Sequence, residues 1–211
     1  MAKSEKVRIQ TAVGRLIHSA LFEKDVYKNE KGQEGKPVYR VELAFDGDED
    51  VKELEDAVVD AAVAEWGDKA ADEYWDGKIA SPIHTGDDLA AKREKKGKSG
   101  DAYRGKLVIR ASTQFNKNGD DAPGGTYVCD ENAVELDFAE RGKVYNGCYG
   151  IAVVEPSAYT VSGERGVTLY LQGFQFVKDG ERLRGISASS LFKPLAAPSA
   201  ATESKGRRRR G

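Results

Sequence analysis

The segment YRGKLVIR, residues 103–110, decides the fold prediction. Apolar Leu107 and Ile109 lie between the charged residues Lys106 and Arg110, and successive side chains of a β-strand point to opposite faces. The pattern predicts a strand with one core face and one cationic face. Such a face can follow the phosphates of a nucleic acid, although a solvated strand face is the ordinary alternative. We predict three phosphate-binding cations on this face: Arg104, Lys106 and Arg110.

Charge is distributed unevenly around this segment. The chain has 33 Lys and Arg against 35 Asp and Glu, a net charge of −2. Residues 92–110, however, hold eight basic residues and two acids, and residues 205–210 add five more basic residues. This separation creates a directional field that attracts a polyanion. We predict a mobile basic loop at about residues 86–101, whose cations also contact phosphates: Lys92, Arg93, Lys95, Lys96 and Lys98.

Alternating apolar residues recur on both sides of this segment. They predict strands near residues 6–13, 37–45, 103–115, 142–154 and 166–178. A turn at Ser162 and Gly163 connects the last two strands, and a helical period predicts one helix over about residues 51–66. Five strands with one intercalated helix fit a mainly β fold, a partly open Greek-key barrel of the OB type.

The composition changes after Phe192. Residues 1–192 are predicted to form one domain, and residues 193–211 (KPLAAPSAATESKGRRRRG) a disordered Pro/Ala/Ser linker with a basic tail. Four consecutive arginines are attracted to phosphates, so we expect the tail to be a second, non-specific contact that also accepts duplex DNA. The alternative is a tail that contacts nothing.

Aromatic residues near the cations are candidates for stacking on bases, which contributes about 1–3 kcal/mol per base. Most aromatic rings in a protein belong to the core, so each candidate has a structural alternative. The predicted stacking residues are Tyr103, Phe115 and Tyr149.

No combination of residues indicates catalysis, a metal site or a cofactor. Gly100 to Lys106 begins like a phosphate-binding P-loop, but Leu107 stands where Ser or Thr must hold magnesium. The acids from Asp46 to Asp50 lack the spacing of a calcium loop and suit the start of a helix. No apolar run approaches the ~18 residues of a membrane span. The two cysteines lack metal-site spacing, which favours a soluble protein of a reducing cytoplasm.

Three segments resemble the closing half of a bacteriophage single-stranded DNA-binding family: VYNGCYG (144–150), GVTLYLQ (166–172) and VKDGERLRG (177–185). Residues 14–22 and 103–106 fit its earlier half, so the resemblance spans about residues 6–192. It implies an OB-fold that coats and protects single-stranded DNA in phage replication, recombination and repair, in the host cytoplasm and without a cofactor. It also implies replication or recombination proteins as partners.

The chain departs from this resemblance at its end. Many proteins of this function carry an acidic C-terminal tail that recruits replication enzymes, whereas this chain has Arg207 to Arg210 and Gly211. Two other functions stay open: a phage structural or assembly protein whose basic face binds an acidic partner, and, less favoured, a nucleic-acid-processing enzyme.

Overall fold

The structure, a computed structural model, describes residues 7–26, 34–113 and 126–183. These ranges are mainly β, with three α-helices and two short 3-10 helices, Asp48–Asp50 and Phe138–Lys143. The strands are β1 (Ile9–Gln10), β2 (Gly14–Asp25), β3 (Val38–Phe45), β4 (Ile83–Thr85), β5 (Leu107–Ser112), β6 (Tyr127–Cys129), β7 (Tyr149–Val161) and β8 (Glu164–Lys178). The α-helices are α1 (Lys52–Trp66), α2 (Lys69–Trp75) and α3 (Gly86–Glu94).

Five of the strands form a ring. β2 pairs with β3 and β3 with β5, both antiparallel. β5 runs parallel to β8, β8 pairs antiparallel with β7, and β7 returns to β2 at Gly14 and Arg15. The β5–β8 and β2–β7 pairings are each two residues long, so the barrel is only partly closed. The predicted OB-type barrel is confirmed.

The long β7–β8 hairpin has the turn that the sequence predicts. Val161 pairs with Glu164, so the loop consists of Ser162 and Gly163. Both loop residues have positive φ, 53° and 86°. Two residues with positive φ make a type I′ turn, whose twist matches that of the flanking strands.

The main core fills the barrel and is closed by α1. Leu43 of β3 and Ile109 of β5 are completely buried in it, together with Leu54 and Val58 of α1. The apolar positions of α1 recur with a helical period, which directs one stripe of the helix into the barrel. The helix predicted over residues 51–66 is therefore confirmed.

A second, smaller core covers part of the sheet's outer face. It joins outward side chains of β2, β3 and β5 to α3. Its members are Ile17, Ala44, Leu89, Ala90, Tyr103 and Val108. Because Val108 and Ile109 are both completely buried, β5 is covered on both faces at this point. The cationic face predicted for this strand is therefore interrupted.

The first predicted strand is wrong in its bounds. In place of one strand over residues 6–13, β1 has two residues and pairs with β7, and the twelve-residue β2 follows and pairs with β3. The chain changes its pairing partner between Gln10 and Gly14. Alternation along a sequence does not reveal such a change, because both strands have the same period.

The helix count is also wrong, since α2 and α3 were not predicted. Helix α3 occupies residues 86–94, where the sequence suggested the start of a basic loop. Asp87 and Asp88 lie in its first turn and Lys92 and Arg93 in its last, which complements the helix dipole. Nine residues with two buried apolar side chains give too little periodicity to detect. No helix in the described ranges is long and apolar enough to cross a membrane.

Candidate nucleic-acid interface

Polar side chains occupy the outer face of the sheet beyond the second core. The strand register places His18 opposite Glu42, and Glu42 opposite Arg110, so these residues form one row across β2, β3 and β5. The next row consists of Ala20, Arg40 and Ser112. We call these two rows the outer strand face.

Glu42 organises the first row. Tyr103 Oη donates a hydrogen bond to Glu42 Oε2 at 2.6 Å, and Arg110 Nε lies 3.0 Å from Glu42 Oε1. Burial and the Glu42 carboxylate raise the pKa of Tyr103 far above its usual range, so its hydroxyl stays a donor. The Glu42 side chain is 12% exposed and that of Arg110 is 47% exposed. A buried carboxylate thus holds Arg110 at the surface.

Asp25 organises the second row in a similar way. Its Oδ2 atom accepts a hydrogen bond from Arg40 Nη2 and lies 3.2 Å from His18 Nε2. Burial alone would raise the pKa of Asp25, but Arg40 and His18 together bring it below the usual value. Asp25 is therefore ionised at neutral pH, and its charge fixes the Arg40 guanidinium.

A groove of about 680 Å³ adjoins the outer strand face at His18. We call it the basic groove, because its lining has five basic side chains against two acids, Asp101 and Glu181. The basic side chains are Arg15, His18, Arg93, Lys98 and Arg182. An excess of positive charge in an open cleft attracts an anionic chain and raises its local concentration.

Residues 181–183 form one wall of the basic groove. Leu183 N donates to Asn146 O at 2.8 Å, and Arg15 Nη2 donates to Glu181 O at 3.1 Å. The wall packs closely on Gly147, whose φ is 115° and where a Cβ would overlap the Glu181 carbonyl. Only glycine suits this conformation and this close approach. The glycine of the YNGCYG segment therefore positions the wall.

Three aromatic rings near the basic groove each have a basic side chain lying over the ring. The pairs are Arg93 with Tyr103 at 4.8 Å, Arg182 with Tyr145 at 3.8 Å, and Lys178 with Tyr149 at 4.8 Å. Cation–π contact holds these long side chains in defined positions. Tyr145 and Tyr149 are half-buried, and Tyr145 also packs against the main core.

The structure separates the three cations that were predicted to share a strand face. Arg104 lies in a turn before β5 and pairs with Glu94. Lys106 immediately precedes β5 and pairs with Asp46. Only Arg110 belongs to the outer strand face. The chain turns ahead of β5, so the alternation of the strand does not extend back to Arg104.

The cations of the predicted basic loop lie at the end of α3 and in the turn after it. Lys92 and Arg93 belong to the last turn of α3, and Lys95, Lys96 and Lys98 follow. Arg93 and Lys98 line the basic groove, whereas the other three side chains are exposed.

The predicted stacking residues have different environments. Tyr103 is 1% exposed, covered by α3 and bonded to Glu42, so the structure does not support it as a stacking residue. Tyr149 lies opposite Arg15 at the groove. Phe115 and the tail, residues 193–211, lie outside the described residues.

Several residues of the candidate interface were not predicted from the sequence. These are Arg15, His18, Arg40, Tyr145 and Arg182. Tyr145 and Arg182 stand in the YNGCYG and KDGERLRG segments, which carried the resemblance without being assigned a role. The other three lie on β2 and β3, where isolated basic residues give no local signal.

The barrel and the groove together define an OB-type β-barrel protein with a basic groove on its surface. Residues 7–201 match the model of the family described as Enterobacter phage Enc34, ssDNA-binding protein. The chain belongs to this family, and the resemblance found in its sequence is confirmed.

The chain is also similar to individual proteins. The chain is 30% identical over 141 residues to protein p50 of Acyrthosiphon pisum secondary endosymbiont phage 1, covering 67% of this chain and 68% of p50. The single-stranded DNA-binding protein of bacteriophage Enc34, solved in complex with ssDNA, has a TM-score of 0.59 at 18% identity, covering 84% of this chain and 89% of that one. The single-stranded DNA-binding protein gp2.5 of bacteriophage T7 has a TM-score of 0.56 at 14% identity, and the match covers 93% of this chain and 100% of that one. The two structures support the fold.

Proposed function

We propose that this chain binds single-stranded DNA, without sequence preference, through the basic groove and the outer strand face. The observation that carries the proposal is the convergence of five basic side chains in one groove beside cation-bearing aromatic rings. Sequence-tolerant binders of single strands combine these two features, a positive groove and stacking platforms. Membership of the Enc34 family and the ssDNA complex of its relative support the same function.

In this proposal, different residues contact different parts of the DNA. Arg15, Lys98 and Arg182 in the groove contact phosphates, together with Arg40 and Arg110 on the outer strand face. Bases stack against the accessible parts of Tyr145 and Tyr149. Stacking accepts every base, because each has a π-face.

The biological role that we propose is to coat and protect single-stranded DNA in phage replication, recombination and repair, in the host cytoplasm. The role is non-catalytic and uses no cofactor. The position of Lys106 supports a non-catalytic role, because this lysine is followed by the strand β5. A P-loop lysine is followed by a helix, which directs its N-terminus at the phosphates.

The basic tail adds a second contact in this proposal. Leu183, the last described residue before the tail, lines the basic groove. Tail cations are repelled by the groove but attracted to DNA phosphates, single- or double-stranded. Because this attraction does not depend on the DNA sequence or on its strandedness, the proposal includes duplex DNA as an additional partner.

A titration with oligo-dT tests the central proposal. Quenching of Trp and Tyr fluorescence should saturate in low salt, weaken steeply in higher salt, and be the same with EDTA present. A structural protein without a DNA site would show no saturable quenching. Loss of binding in EDTA, or ATP hydrolysis that Lys106→Ala abolishes, would contradict the metal-free, non-catalytic role.

A further inference from the structure

A second groove, of about 440 Å³, lies between α1, α2 and β4 and shares no lining residue with the basic groove. Its apolar lining includes Val51 and Ile79, both 2% exposed, together with Ile83 and Leu107. We call it the tryptophan groove, because Trp75 forms part of its rim.

Trp75 is unusually open for a residue of its size, with 62% exposure. It packs edge-on against Tyr74, with the ring centroids 5.3 Å apart and the planes at 84°. Tyr74 is in turn anchored by a 2.7 Å hydrogen bond between its Oη and Ser81 Oγ. The exposed ring is therefore backed by a fixed neighbour, as at the centre of many protein interfaces. An indole face is also the strongest side-chain partner for a cation.

The negative charge of the tryptophan groove is not balanced by a basic side chain among its lining residues. Asp48 and Glu55 line it, while Lys, Arg and His are absent from the lining. Within the described ranges neither carboxylate forms an ion pair, whereas Glu42 and Glu94 each hold an arginine. Burial raises the pKa of Glu55, and the neighbouring Asp56 and Asp48 raise it further. A half-buried carboxylate among other acids gains stability when a cation approaches it.

We propose that the tryptophan groove is a docking surface for a Lys- or Arg-bearing segment of a partner protein. The aliphatic stem of such a side chain packs on the apolar floor, and its charged end lies between the two carboxylates and the Trp75 ring. The negative groove repels phosphate, so DNA and the protein partner occupy separate surfaces and bind together. A protein with a basic segment could then bind to this chain while the chain coats single-stranded DNA.

The test uses acetyl-tetra-arginine amide as the probe and the intrinsic fluorescence of the full-length protein. We expect a saturable change that is absent in Trp75→Phe; the titration is carried out without DNA, because the tetra-arginine probe would itself bind oligo-dT phosphates. The double variant Asp48→Asn/Glu55→Gln should bind the probe about three- to tenfold more weakly. Asp60→Asn/Glu65→Gln is the matched control, because it removes two exposed acids of α1 outside the groove.

Two results would overturn the proposal. One is equal weakening in the control pair, which would show a general charge effect. The other is an identical fluorescence response to magnesium chloride at matched ionic strength, which would show screening rather than a side-chain site. Oligo-dT binding should be unchanged in both double variants. A failure at the tryptophan groove is therefore distinguishable from a failure of the DNA-binding proposal.

Discussion

Replacing Arg15, Lys98 and Arg182 with glutamine tests the DNA interface directly. All three line the basic groove, and none belongs to either hydrophobic core. Glutamine removes the charge and keeps a polar side chain, so we expect the triple variant to fold and to have nearly the same melting temperature. Its affinity for oligo-dT should fall sharply.

The size of the effect follows from counterion release. Each phosphate contact on a single strand contributes about 0.7 to the slope of log K against log salt. Loss of three contacts should lower the slope by about 2 and, extrapolated from ~1 M salt, reduce affinity about 500-fold near ~50 mM salt and about 30-fold near ~200 mM salt. The difference between these two factors distinguishes lost phosphate contacts from a damaged fold, which would not depend on salt in this way.

Fluorescence titration with oligo-dT over a salt series is the assay, and a second triple variant is the control. Lys52→Gln/Lys69→Gln/Lys78→Gln removes the same charge from exposed positions on and beside α1 and α2. We expect this control to keep the slope of the unmodified protein. Equal losses in both variants, or an unchanged slope in the groove variant, would refute the assignment of the groove.

Three further predictions concern the groove wall, the outer strand face and the tail. Gly147→Ala forces a Cβ against the Glu181 carbonyl at a φ of 115°, so it should lower the free energy of unfolding by about 1–3 kcal/mol and weaken oligo-dT binding; an unaltered urea midpoint would contradict the close packing. The folded-state pKa of Asp25 is depressed, so its stabilising contribution is complete above its ordinary pKa and is lost as the pH falls through the lower, folded value. Asp25→Asn should therefore destabilise the protein at neutral pH but not in strong acid. Equal shifts of the urea midpoint at the two pH values would argue against the ion pair with Arg40. Truncation after Ala197 should weaken binding to single and double strands in low salt without changing the melting temperature, whereas tighter binding would make the tail inhibitory.

Part of the candidate interface could be predicted from the sequence. Arg93, Lys98 and Arg110 were expected from the density of positive charge in one stretch, and Tyr149 from its position in a strand near cations. The structure then removes Tyr103 from the accessible surface and pairs Arg104 and Lys106 with carboxylates. These outcomes depend on α3 and on the end of β3, whose positions the local pattern does not specify.

The amino-acid sequence by itself determined the elements that depend on short-range order. The period of α1, the Ser162–Gly163 turn, the predominance of strands and the basic character of residues 92–110 follow from spacing, turn chemistry and charge over short spans. Only the tertiary structure decided which cations meet. Arg15 reaches the backbone of Glu181 across 166 positions of sequence, because β2 pairs with β7 and residues 180–183 fold back over Gly147. A groove assembled from such distant segments has no local signature, since each of its cations, read alone, resembles an ordinary surface residue.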